Sequence, residues 1–244
     1  MALRRVNEPF YQRYILENHY TNRPFYGSSE IPLFEKTADS VATSLVTKVP
    51  DTESYELRGR LRFANEDFKN ALVDFENAVR LSYGRPNLRL LDYIADTYSK
   101  VNKYPEAIKY YTMQVDSSKN KRDVLWHRGL CKRELEDYRG ALSDFSRALL
   151  ITERQITSVS DYFLLTVSAS CKLSLGENLD AKVLLNKVPL QQIPQGDSGY
   201  FYYLKGLADY HLKYKESACA NWSKAGEHGY AEAYEAIKSY CNKH

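Results

Sequence analysis

The 244-residue sequence is poorest in the features that announce chemistry. It holds no HExxH, GxSxG, P-loop or GxGxxG, and none of its five histidines stands at a recognised catalytic spacing from a carboxylate. The four cysteines, Cys131, Cys171, Cys219 and Cys241, form no CxxC, and no histidine lies at zinc-finger spacing from them. No catalytic residue, metal ligand or cofactor follows, and the chain is read as a non-enzyme. Charge of one sign is also missing. The 34 basic and 31 acidic residues leave a net +3, which gives no case for nucleic acid, since that needs a concentrated basic face. No apolar run approaches the roughly 20 residues that span a bilayer, so no membrane insertion is expected. The N-terminus MALRRVNEPF lacks an apolar h-region, so no signal peptide is expected; a chain starting after a removed leader would look the same. Methionine is scarce, at 2 residues, whereas tyrosine is abundant, at 21. Those rings can pack while their hydroxyls reach polar partners or water.

What is present is a repeat. ELRGRLRFANEDFKNALVDFENAV (56–79) and WHRGLCKRELEDYRGALSDFSRAL (126–149) share R-G, D-[FY], G/N-A-L, D-F and a final alanine. The same frame fits residues 92–111, 167–185 and 203–225. Its anchor alanines are Ala71, Ala107, Ala141, Ala181 and Ala218, separated by 36, 34, 40 and 37 residues. Packing explains the positions. A small residue in the first helix (Gly59, Ala95, Gly129, Ala169, Gly206) and the alanine opening the second let two helices approach closely. An aromatic before the alanine (Phe68, Tyr104, Tyr138) plugs the turn. One four residues after it (Phe75, Tyr111, Phe145, Trp222) is expected to fill the gap to the next unit. A single hairpin cannot bury its own apolar face, but stacked neighbours can.

Over roughly residues 52–229 this pattern resembles the tetratricopeptide repeat (TPR). It departs in lacking the proline that often closes a unit and in placing Gln114 where a small residue is usual. The R-G…D-F variant resembles a form common in bacterial TPR proteins. The resemblance implies an all-α fold: a right-handed superhelical solenoid of about five helix hairpins, with a capping helix at 230–244. It also implies a protein-interaction module or scaffold that binds a protein or peptide partner through a groove. The alternative is a structural subunit of a larger, cell-envelope assembly, engaging through its outer surface and residues 1–51. Oligomeric state is open. Arg58 with Asp74, and Arg128 with Asp144, are read as ion pairs within each repeat rather than ligand contacts, because they recur at equivalent positions. In the fifth unit the pair becomes Lys205 with Asn221.

The resemblance places the groove on the first helix of each unit, and helical period then selects the lining. Its N-terminal half is charged and mixed, with Arg60, Asp92 and Asp96. Its C-terminal half carries Trp126, Leu130, Phe163, Tyr200, Tyr203, Leu207 and Tyr210, side chains of the kind that form interface hot spots. Each could instead be core. Asp92 and Asp96 would repel a carboxylate, so a chaperone-type carboxylate clamp is not expected.

Residues 1–51 are rich in aromatics. Residues 7–20 and 38–49 read as helices and 21–37 as irregular chain, the whole capping the first repeat or packing across the groove. At the other end, Cys219 lies ten residues before Gly229 and Cys241 twelve after it. In an antiparallel hairpin that mismatch is roughly 3 Å of helical rise, so the thiols can meet. Either they form a disulfide, which implies an oxidising compartment such as a bacterial periplasm, or they are two buried thiols in a reducing cytoplasm. Cys131 and Cys171 fall inside helical patterns and are read as buried and inert.

Overall fold

The structure is a computed structural model that describes residues 31–118, 121–151, 161–193 and 195–242. These contain twelve α-helices and no strand. The chain divides into two compact bodies, residues 1–117 and 118–244.

In the first body, α1 (Ile31–Lys48) begins earlier than expected: residues 31–37 are helical rather than irregular. Pro32 explains the early start, because in a first helical turn its missing N–H breaks no bond. Ala38, Ala42 and Leu45 lie on one face of α1 and pack on Leu57 and Leu61 of α2 (Thr52–Ala64), covering the first repeat. The helix expected at 7–20 lies outside the described residues. α2 pairs with α3 (Phe68–Leu81), and α4 (Leu88–Lys100) with α5 (Tyr104–Gln114).

In the second body the pairs are α6 (Lys121–Glu134) with α7 (Tyr138–Leu150), α8 (Asp161–Ser174) with α9 (Asn178–Asn186), and α10 (Ser198–His211) with α11 (Lys215–Glu227). A short α12 (Ala231–Ala236) continues into a π-turn at Ile237–Cys241.

Every hairpin turns in the same way. Glu66, Asn102, Glu136, Gly176 and Lys213, each five residues before an anchor alanine, have φ of 60, 60, 58, 75 and 67°. At each the left-handed residue and its successor donate N–H groups back into the helix, as Glu66 does to the Phe63 carbonyl and Asp67 to that of Arg62. This Schellman motif satisfies the carbonyls a helix end leaves free. Only one of the five positions is glycine, so composition does not reveal it. Asp67 and Asp137 then cap α3 and α7 through their carboxylates.

The aromatic residues of the second helices lie on the glycines of their own hairpins, not only between units. A Cβ on Gly129 would stand 2.4 Å from the Phe145 ring; Gly59 under Phe75 and Gly206 under Trp222 are alike. Phe75 also stacks on Tyr93 of the following repeat, at 5.7 Å.

The two arginine–aspartate pairs are ion pairs inside their repeats. Arg58 donates to both carboxylate oxygens of Asp74 at 3.0 and 2.6 Å, and Arg128 to those of Asp144 at 2.8 and 2.5 Å. One helical turn on, Arg62 and Lys132 each add a 2.8 Å contact to the same buried carboxylates. The fifth repeat inverts the arrangement. Its acid, Asp209, stands on α10 at the place of Arg62 and Lys132. It is 2% exposed and accepts from Ser217 and Asn221, while Lys182 of the preceding repeat lies at 2.6 Å. Lys205 does not partner Asn221; its ammonium lies over the Phe201 ring, and burial lowers its pKa.

Candidate functional site

The second body gathers a pocket from the first helices of its three repeats. On α6, Trp126, Leu130 and Arg133 recur at i, i+4 and i+7, which puts them on one helical face. Tyr162, Phe163, Thr166 and Val167 come from α8, and Tyr200 and Phe201 from α10. Two short 3₁₀ turns, Leu190–Gln192 and Gln195–Asp197, lead into α10 and set Ile193 and Asp197 at the margin. Together they line an open cavity of ≈ 210 Å³ whose walls are mostly apolar. The Trp126 and Phe163 rings lie 6.1 Å apart, and Tyr162 and Phe163 4.1 Å. Tyr162 and Phe201 are anchored in the core beneath, with Ala169, Leu185 and Leu204.

The polar groups at the rim are engaged. The Tyr162 hydroxyl donates to Asp197 at 2.6 Å; burial first, and this carboxylate second, push its pKa up. Tyr200 donates to the Ser170 hydroxyl at 3.2 Å, and Arg133 to Glu134 at 2.7 Å. Such an arrangement can bind an apolar group; it offers no nucleophile with an adjacent base. Among the described residues no cluster of His, Cys, Asp and Glu is placed to hold a metal ion.

Of the residues selected from the sequence, the pocket brings together Trp126, Leu130, Phe163 and Tyr200. The other three of that half pack against the C-terminal cap. Tyr203 lies 4.9 Å from Tyr230, and Tyr210 lies 5.7 Å from Trp222 and 4.4 Å from Tyr240. Leu207 packs partly buried between the two core clusters of this body. Tyr162, Val167, Phe201, Ile193 and Asp197 were not foreseen. Tyr162 and Phe201 neighbour selected residues, so a better helix phase would have found them. Ile193 and Asp197 carry no sequence signal, because only the turn before α10 brings them there.

In the first body Arg60, Asp96 and Glu56 are engaged internally, whereas Asp92 is not. Arg60 is buried, with its guanidinium 5.5 Å from the Tyr93 ring centre, so it does not line an open surface. Asp96 accepts from the Tyr111 hydroxyl at 2.5 Å. Asp92 stays exposed; desolvation first and the Asp96 charge second push its pKa up to about 6. Glu56 is buried and held by Arg89 and Asn87.

Cys219 and Cys241 are bonded, with Cα atoms 5.8 Å apart. They tie the π-turn to α11, where Ala233 and Ala236 of α12 pack beside Trp222. Cys131 and Cys171 are buried and stand outside the disulfide, and burial raises the Cys171 thiol to about 11, which keeps it protonated and unreactive.

No protein-family model and no curated protein matches the sequence. Solved structures do resemble the fold. PilF of Pseudomonas aeruginosa matches with a TM-score of 0.67 at 11% identity, over 95% of this chain and 96% of that one. The C-terminal part of a TPR repeat-containing protein from Cytophaga hutchinsonii gives 0.68 at 17%, over 96% and 87%. YrrB, described as a TPR protein with an unusual peptide-binding site, gives 0.63 at 19%, over 81% and 97%. At these identities the likeness is one of fold, and the fold of this chain is that of the tetratricopeptide-repeat proteins.

Proposed function

We propose that the chain is a non-enzymatic interaction module that holds a protein or peptide partner in the pocket between α6, α8 and α10. The observation that carries this is the convergence of Trp126, Phe163 and Tyr200 on an open apolar cavity, with the large Phe163 side chain exposed at 39%. Apolar aromatic side chains in a concave site supply most of the affinity at protein interfaces. The fold alone does not fix function, but the structurally similar YrrB is a TPR protein with an unusual peptide-binding site, which agrees with this class. The reading needs neither nucleic acid nor membrane.

The experiment is affinity capture with the full chain as bait, comparing wild type with Trp126→Ala/Phe163→Ala. The pocket reading requires that the double variant lose the partners that wild type retains while keeping its helical circular dichroism. If all partners survive in that variant and are released by removal of residues 1–50, the chain is instead a subunit that docks through its outer surface and N-terminal segment.

A further inference from the structure

In the first and third repeats two cations share one buried carboxylate, Arg58 and Arg62 on Asp74, and Arg128 and Lys132 on Asp144. The fifth repeat does not close its charges in this way. Lys182 on α9, Lys205 on α10 and Lys224 on α11 stand around a single acid, Asp209, which Lys182, Ser217 and Asn221 already engage. Lys205 and Lys224 form no ion pair among the described residues. Each instead rests its ammonium over an aromatic ring, that of Phe201 at 5.7 Å and that of Tyr202 at 5.4 Å. Lys182 adds a third such contact, 4.3 Å from the Tyr214 ring centre.

Lys205 is the group that most lacks an anion. It is half-buried, and its nitrogen is not among the sealed, unpartnered polar atoms of the described residues, so it reaches solvent. Burial first, with repulsion from Lys224 and Lys182, lowers its pKa against the pull of Asp209. A partly desolvated ammonium that faces like charges gains more from an added anion than a fully hydrated one does. Lys224 is exposed, so the approach is open.

The groups present restrict the anion. The charges acting on Lys205 are those of lysines and one aspartate, with no arginine fork of the kind that grips a phosphate from two sides. Ammonium groups carried by different helices suit separate carboxylates along a chain better than one compact phosphate.

We infer that the surface of α9, α10 and α11 around Lys205 and Lys224 docks an acidic segment of a protein partner, with carboxylates set against the two ammonium groups. None of the three lysines lines the pocket between α6, α8 and α10, so this is a second contact surface and does not rest on the pocket reading.

The test titrates the full chain, followed by amide NMR shifts, with a pentapeptide of glycine and two glutamates, blocked at both ends, and its counterpart with two glutamines. Wild type should bind the glutamate peptide about 5-fold more tightly, as two surface ion pairs predict. The preference should shrink as salt rises from about 0.01 M to about 0.15 M, where the screening length falls to about 8 Å. Lys205→Gln/Lys224→Gln should abolish the preference and keep the helical circular dichroism. Trp126→Ala/Phe163→Ala should retain it. Equal binding of the two peptides by wild type, or a preference that survives in Lys205→Gln/Lys224→Gln, overturns the inference. Inorganic phosphate binding more tightly than the glutamate peptide overturns the choice of carboxylates. Loss of the preference in Trp126→Ala/Phe163→Ala would put the peptide in the pocket and overturn the second surface, leaving the pocket reading standing.

Discussion

Lys182 of the fourth repeat lies 2.6 Å from Asp209 of the fifth, and Asp209 is buried while Lys182 is partly open. The pair ties two repeats together where other repeats carry an ion pair inside themselves. Removing the acid leaves the lysine able to reach water but strips Ser217 and Asn221 of their acceptor. Asp209→Ala should therefore cost about 3 kcal/mol, near the lower end for a broken buried pair. Lys182→Ala should cost as much or more, because it leaves a buried charge without its cation. Denaturant unfolding of the two variants checks the order.

Gly129 and Phe145 occupy one space. Gly129→Ala would place a methyl against the ring and should cost about 1–3 kcal/mol through overpacking. Adding Phe145→Leu should recover part of that loss, so the two changes together should cost less than their sum. A double-mutant cycle in thermal or urea unfolding measures the coupling.

Gln114 is fully buried, and neither oxygen nor nitrogen of its amide has a partner among the described residues. Gln114→Met keeps the length and removes the polar atoms. It should raise stability by about 1 kcal/mol or more, seen as a higher melting temperature.

Asp92 has a folded-state pKa raised to about 6, above the ordinary aspartate value. The folded protein then binds its proton more tightly than the unfolded chain does. The stabilisation from protonation is complete below the unfolded pKa and is lost as pH rises through about 6. Asp92→Asn should flatten this slope between about pH 4 and 6 and raise stability at pH 7.5. The gain should be below about 1 kcal/mol because the site is exposed. Melting temperatures across the pH range test it.

The Cys219–Cys241 bond closes a separation of 22 residues. Loop-closure entropy puts its contribution at about 3 kcal/mol. Cys219→Ala/Cys241→Ala should lower the unfolding free energy of the second body by about that amount, measured by denaturant unfolding. Mass spectrometry without reductant checks the bond itself: two free thiols at these positions in protein from its native compartment would remove the staple.

Much of the fold was legible because packing constrains residue size at fixed positions. Gly129 must be small since Phe145 lies on it, and Ala71, Ala107, Ala141, Ala181 and Ala218 are all fully buried or nearly so. The left-handed turn residues were not legible. Glu66, Asn102, Glu136 and Lys213 bear the conformation without the glycine that would signal it, because paired backbone groups on both sides fix the turn. The charge exchange in the fifth repeat was missed for a related reason. Lys205 and Asn221 align with an ion pair, but Asp209 takes its cation from the preceding repeat.

By itself the sequence determined the period, the pairing of helices into hairpins, and the small and aromatic residues that let them close. These are local size requirements, repeated in register. Only the tertiary structure decided which aromatic residues share the cavity between α6, α8 and α10. Trp126, Phe163 and Tyr200 meet around it, whereas Tyr203 and Tyr210, selected by the same helical phase, lie outside it beside Tyr230 and Tyr240 of the cap. The difference is set by chain arriving from elsewhere, since the neighbours of a side chain are not fixed by its place in a repeat.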